Sequence, residues 1–229
     1  MEHNDALNLA KAWEYTDRLA ASAEPAGIQD VRDDAIELGF SPTSAMQAQW
    51  LGMMAHLLQA ESVLLLGTGN AVETAQLLIA MDSVGMQTAA GQLTVVDSSH
   101  RGAVLVRSVP ARLEQPIRTR LRVANTSAQL FVPRLNAGDY DVVVIDGDLS
   151  NYEDMLDQAH RVLRDGGVLI VADAFAQRDE QSQGGVINPA DHSSKAVLMR
   201  AFTEEIVHDD RFAVHVLPIG TGIIVAAKQ

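Results

Sequence analysis

The sequence predicts an α/β protein: a doubly wound, mostly parallel seven-stranded sheet with an antiparallel C-terminal hairpin. Three observations carry this. Between Ser62 and Asp173, short apolar runs alternate with helical patterns, the rhythm of a parallel sheet with right-handed crossovers. The runs "SVLLLG" and "DVVVID" are continuous rather than alternating, which means strands covered on both faces. The chain ends in "RFAVHVLPIGTGIIVAAK", two apolar runs around a Pro-Ile-Gly-Thr-Gly turn, which reads as a hairpin.

The elements follow in order. Ala6, Leu9, Ala10, Trp13 and Ala20 recur at helical spacing, so residues 5–22 read as an amphipathic helix. "AEPAG" breaks it, and a short helix covers residues 29–38. Ser41 offers an N-cap with Pro42 at the first helical position. Met46, Trp50, Met53, Met54 and Leu57 follow on one face, a stripe that reads as core packing. Residues 1–40 are expected to form a helical extension and residues 41–229 the main domain.

"SVLLLG" is the first strand, with a helix over residues 70–82. "QLTVVD" is the second, with a helix ending near Pro110, and "TRLRVAN" is the third, with a helix through about Leu130. "DVVVID" is the fourth strand; Met155, Leu156, Ala159, Val162 and Leu163 mark the next helix; "GGVLIVAD" is the fifth strand. The polar stretch "AFAQRDEQSQGGVINPADHSS" is too long for an ordinary connection and reads as a functional loop. A helix over residues 194–207 leads into the hairpin.

Composition narrows the partners. The net charge of −13 argues against a nucleic acid, because phosphate binding needs clustered Lys and Arg. Only three lysines occur, Lys11, Lys195 and Lys228, so ammonium chemistry has few candidates. The absence of cysteine excludes disulfides and Cys-based zinc sites. The N-terminus lacks the basic start and apolar block of a secretory signal. No apolar stretch approaches the ~20 residues that span a bilayer. A cytoplasmic protein with no membrane or nucleic-acid partner is the expectation.

Ligands of open parallel sheets bind beyond the carboxyl ends of the strands. Those ends are Gly67-Thr68-Gly69-Asn70, then Asp97-Ser98, Asn125-Thr126-Ser127, Asp146-Gly147-Asp148 and Asp173-Ala174. The glycines allow a tight turn and close backbone approach. Val72 stands where a dinucleotide fingerprint has its last glycine, and no Gly-Lys-Ser/Thr of a P-loop is present. An acid at Asp97 suits two hydroxyls of a ribose, and equally an N-cap of the following helix.

These motifs resemble the class I S-adenosylmethionine-dependent O-methyltransferases, specifically the catechol and caffeoyl-CoA type with its bacterial members. "SVLLLGTGNAVET" resembles the family's first motif and "LTVVDSS" its ribose-binding strand end. "YDVVVIDGDLSNY" resembles the Asp-x-Asp-Lys-x-x-Tyr segment, with Asp146, Asp148 and Tyr152 in register. "LRDGGVLIVADAF" resembles the segment that closes the metal site, and the Leu-Pro-Ile-Gly-x-Gly turn is the most specific match. The resemblance implies a Rossmann-like methyltransferase fold and S-adenosylmethionine as donor. It places Gly67, Thr68, Gly69, Asn70, Asp97, Ser98, Thr126, Ser127, Asp146 and Tyr152 at the cofactor, with Asp146 and Asp148 as catalytic candidates and a small-molecule hydroxyl as acceptor. It also implies a homodimer built partly on residues 5–22.

The departures carry as much information. Leu65 stands at the first motif's acid, Ala71 near a later glycine, and Leu149 at the catalytic lysine. The family's divalent metal has three oxygen ligands; Asp146 and Asp173 match two, and Ala174 stands at the third. A methyl group cannot ligate, so weak or absent Mg²⁺ binding is expected, and without a cation one of the two carboxyls should be pushed up in pKa. His192 and Lys195 of the polar stretch are further candidates for the base. Two other readings stay open: a cofactor-binding regulatory relative without turnover, and a nicotinamide-dependent oxidoreductase. Comparing NAD with S-adenosylhomocysteine by thermal shift separates the last from the others.

Overall fold

The computed structural model describes residues 3–84, 91–178 and 181–229. Strands β1 (Ser62–Gly67), β2 (Gln92–Asp97), β3 (Arg120–Asn125), β4 (Tyr140–Ile145), β5 (Leu163–Ala172), β6 (Phe212–Leu217) and β7 (Ile223–Lys228) form one sheet. Their order is β3-β2-β1-β4-β5-β7-β6. The first five run parallel, and β7 lies antiparallel between β5 and β6. The expected class and the closing hairpin are both present. The order in which strands are added reverses between β1 and β4, so the crevice for a ligand opens at the tips of those two parallel strands.

Helices α1 (His3–Ala23), α2 (Ala26–Glu37), α3 (Ala45–Leu57), α4 (Ala71–Val84), α5 (His100–Arg112), α6 (Ala128–Phe131), α7 (Met155–Val162) and α8 (Ser194–Val207) complete the order. Two apolar clusters explain the continuous strands. Val63, Leu65, Val142, Val144 and Ile170 face one cluster together with α2, α3, α4 and α5. Leu64, Leu66, Val143, Ile145 and Val171 face the other with α7 and α8. Alternate residues of one strand thus point into opposite cores, so every position is apolar.

Within the segment read as an extension, α2 sinks Ile28, Val31 and Ala35 into the first cluster. Helix α1 lies against α3, where the Asp17 carboxylate accepts from the Met46 N–H at 3.0 Å. No helix among the described residues is long and apolar enough to cross a membrane.

Two local expectations are corrected. Helix α3 begins at Ala45, and its N-cap is Ser44, whose hydroxyl accepts from the Gln47 N–H at 3.3 Å. Ser41 and Pro42 instead precede the helix, because the Ser41 and Thr43 carbonyls accept from the Arg178 and Arg32 guanidiniums and hold that segment over the strand tips. The buried face of α3 is Ala48, Leu51, Gly52 and Ala55; Trp50 and Met54 of the expected stripe pack half-buried against the first cluster, while Met53 and Leu57 are exposed. Close packing on α4 is the reason: a Cβ on Gly52 would stand 3.3 Å from the Gln76 carbonyl, so small residues take the contact. On the same helix the Gln47 amide oxygen accepts from the Thr221 N–H at 3.2 Å, tying α3 to the β6–β7 turn.

Leu65, which stands at the resembled motif's acid, is fully buried in the central strand. Leu65→Ala should lower unfolding free energy by about 2–5 kcal/mol. Denaturant melts check this, and an unchanged midpoint would contradict the packing described.

Candidate active site

The turn after β1 is built by side chains of three strands. Gly69 has φ +70°, a left-handed conformation that suits glycine, and its Cα faces the Phe40 ring. Asn70 closes the turn: its Oδ1 accepts from the Thr68 N–H at 2.6 Å, and its Nδ2 donates to Asp146 Oδ2 at 3.0 Å. Asp97, at the tip of β2, accepts from the Gly69 N–H and the Ser99 N–H, each at 2.8 Å. Burial pushes the Asp97 carboxyl up, and those two N–H groups oppose the shift without cancelling it. The Asn125 amide and the Thr126 N–H both donate to the Asp97 carbonyl, at 2.9 and 3.1 Å, which brings the tip of β3 alongside. Ser98 is exposed, and Thr126 and Ser127 are half-buried on the same rim.

The tips of β4 and β5 hold two more buried acids. Asp146 and Asp173 are both fully buried. Asp146 Oδ1 accepts from the Gly147 N–H at 2.7 Å and from the Arg178 guanidinium. Asp173 has φ +50°, a strained conformation for a residue with a side chain. Its Oδ1 accepts from the Gln177 N–H at 3.0 Å and the Arg178 N–H at 3.3 Å, and its Oδ2 pairs with the Lys195 ammonium at 2.6 Å. Lys195, on the first turn of α8, also donates to the Gly147 carbonyl at 2.8 Å. Gly147 has φ +84°, and a Cβ there would stand 2.7 Å from the Thr68 nitrogen, so the β1 and β4 turns interlock only with glycine.

Tyr152 sits in the core instead of on the rim. Its hydroxyl donates to the Ala172 carbonyl at 3.0 Å, and its ring lies 5.3 Å from the Lys195 ammonium. Burial, with Asp146 and Asp173 nearby, pushes its phenol well above the ordinary value. Asp148 is exposed at the mouth, His192 is exposed, and Lys195 is buried.

Burial alone would raise the Asp146 carboxyl, but Arg178, the Gly147 N–H and Lys195 outweigh it and hold the group below its usual range. This reverses the expected upward shift for that residue, because the chain supplies positive charge itself. Beside Asp146 the raised carboxyl is Glu73, on the first turn of α4. Burial and then the charge of Asp146 push it to about 7. Neither Glu73 oxygen accepts a hydrogen bond, and its nearest ion-pair contact, Arg178 Nη1, is 3.9 Å away.

These groups surround a cavity of about 340 Å³. Thr68, Gly69, Asn70, Asp148 and Leu149 line it, as do Phe40, Glu73, Arg178 and Lys195. Gly67, Asp97, Asp146 and Asp173 form the strand ends behind that wall. The sequence reading includes neither Glu73 nor Arg178. Glu73 follows Asn70 by three residues on a helix that starts at the turn, so its position was a readable signal. Arg178 lies in an irregular loop, where no periodicity points to it.

A parallel sheet with an antiparallel closing strand, a glycine turn after β1 and acids at the tips of β2, β4 and β5 define a nucleoside-binding α/β protein of the methyltransferase type. The sequence model of the family described as O-methyltransferase matches residues 21–229, and the chain belongs to that family. A Mycobacteroides abscessus protein described as an O-methyltransferase is 29% identical over 198 residues, covering 86% of each chain. Catechol O-methyltransferase domain-containing protein 1 of Mus musculus is 27% identical over 220 residues, covering 94% of this chain and 79% of its own. Among solved structures, the O-methyltransferase from Bacillus cereus in complex with SAH has a TM-score of 0.77 at 19% identity, covering 96% of this chain and 99% of that one. TomG from Streptomyces achromogenes, an O-methyltransferase of tomaymycin synthesis in complex with SAM, gives 0.77 at 19% identity, covering 96% and 98%.

The Glu73 shift has a measurable sign. With a folded value near 7 against about 4.5 for the free group, the folded protein keeps a proton that the unfolded chain releases between those values. Stability from this residue is therefore present below pH 4.5 and lost as pH rises to about 7. Glu73→Gln should remove that loss, so the variant gains on the parent by on the order of 3 kcal/mol between pH 5 and pH 8. Equilibrium unfolding at the two pH values measures this, and a difference independent of pH would contradict it.

Proposed function

We propose that the chain transfers the methyl group of S-adenosylmethionine to a hydroxyl oxygen of a small-molecule acceptor. The observation that carries this reading is the strand-tip cavity, with its glycine turn and acids, in a chain of the O-methyltransferase family. The nucleoside lies along the Gly67–Asn70 turn, with its ribose hydroxyls at Asp97, and Ser98, Thr126 and Ser127 flank the adenine side. The sulfonium then points into the cavity between Asn70 and Asp148. Tyr152 serves the cofactor indirectly, as the ring beneath Lys195.

Methyl transfer is an in-line displacement, so alignment of oxygen, carbon and sulfur supplies much of the rate. Arg178 and Lys195 favour an acceptor oxygen that gains negative charge as its proton leaves. Asp146 stays ionised in its ion pair and orients Asn70 and Arg178. Asp148, exposed at the mouth, takes the acceptor proton or passes it to water. The acidic surface fits a small acceptor better than a nucleic acid.

Helix α1 supports a homodimer. Tyr15 and Leu19 on it are about half exposed, at 54% and 51%, apolar area that a second copy would cover.

S-adenosylhomocysteine should raise the melting temperature where NAD does not. Asp97→Ala should weaken its binding by roughly tenfold to a hundredfold, since a bond to a charged group contributes about 1.5–3 kcal/mol. Calorimetry measures this; equal affinity for variant and parent would remove the ribose from Asp97. A chain beginning at Ile28 should sediment as a monomer, and a dimer in that experiment would move the interface off α1.

A further inference from the structure

The resemblance puts two ligands of a hard divalent cation at Asp146 and Asp173. Mg²⁺ needs oxygen donors with lone pairs free to form an octahedron. The residues present do not fit it. Every carboxylate oxygen already accepts from the chain: Asp146 Oδ1 from Gly147 and Arg178, Asp146 Oδ2 from Asn70, Asp173 Oδ1 from Gln177 and Arg178, and Asp173 Oδ2 from Lys195. At the third position Ala174 is buried in the core, with its N–H on the Gly222 carbonyl at 3.0 Å. No three His, Cys, Asp or Glu converge as metal ligands among the described residues.

We infer that Arg178 and Lys195 stand in for the divalent cation, so that methyl transfer in this chain needs no metal. A guanidinium and an ammonium together carry the same double charge. Each is fixed on one of the two carboxylates that would otherwise hold the ion, and both line the cavity. Their supports are built in. Lys195 starts α8 and is anchored a second time on Gly147. Arg178 also donates to the Ser41 carbonyl at 3.4 Å, which brings the segment before α3 over the same floor. Ala174 then packs where a ligand has no use. This inference deepens the proposed reaction and rests on it only for turnover; the filled carboxylates are a matter of structure.

The test uses MnCl₂ as probe, followed by electron paramagnetic resonance, in which the free ion gives a strong six-line signal that binding broadens away. The full chain, with or without S-adenosylhomocysteine, should leave added Mn²⁺ free. Stoichiometric loss of the signal would overturn the inference. A triple variant, Arg178→Ala, Lys195→Ala and Ala174→Asn, takes the two cationic side chains off the carboxylates and supplies an amide oxygen, so it should take up Mn²⁺. If circular dichroism shows that variant folded and Mn²⁺ remains free, the two side chains do not occupy the cation's place; the wild-type titration decides independently of whether the variant folds. Turnover of the wild-type chain should be unchanged by EDTA, and loss of turnover restored by Mg²⁺ would also overturn the inference. Failure of S-adenosylhomocysteine to shift the melting temperature would count against the donor instead, and would leave the Mn²⁺ result standing.

Discussion

Two buried carboxylates at the tips of neighbouring parallel strands are the constraint on which the rest of this site depends. Asp146 and Asp173 have no solvent to stabilise their charge. An isolated charge in such a place is so unfavourable that it must be paired and hydrogen-bonded or give up its ionisation. Here the pairing comes from Arg178 and Lys195, and the loop and helix that carry them must fold back over the sheet to deliver it.

That requirement organises the long polar stretch after β5. Asp191, also buried, accepts from the Gln183 and Gly185 N–H groups at 2.6 and 2.7 Å. Arg200 on α8 donates to the carbonyls of Gly185, Asn188 and Asp191. The loop is thus ordered by backbone bonds to charged side chains, and α8 enters with Lys195 already aimed at Asp173. Glu73 is the remainder of this balance. Two cations meet three acids, and burial raises the pKa of Glu73, which has no donor on it.

The other strand tips are coupled through polar side chains that span turns. Asn70 joins the β1 turn to Asp146, and Asn151 donates both to the Asp146 carbonyl at 2.8 Å and to the Thr68 hydroxyl at 3.2 Å. Asp97 holds the Gly69 N–H from the other side. A ligand in the cavity therefore meets a turn fixed by neighbours on both flanks, which is the preorganisation that alignment chemistry asks for.

The sequence by itself determined the sheet and its direction, because burial on both faces writes a continuous apolar run and the Leu217-to-Gly222 turn writes a hairpin. It also determined which acids stand at the strand tips, since each follows directly from the end of an apolar run. It misjudged the start of α3 and the burial of Met53 and Leu57, because close packing on α4 gives the innermost contact to small residues and leaves Trp50 and Met54 at its edge. Only the tertiary structure decided what those acids hold. Asp146 and Arg178 are 32 residues apart and meet through an irregular loop, and Lys195 reaches Asp173 from another helix. Ion pairs across such separations leave no periodic trace, because they depend on where a loop returns in space and on how much water the fold excludes.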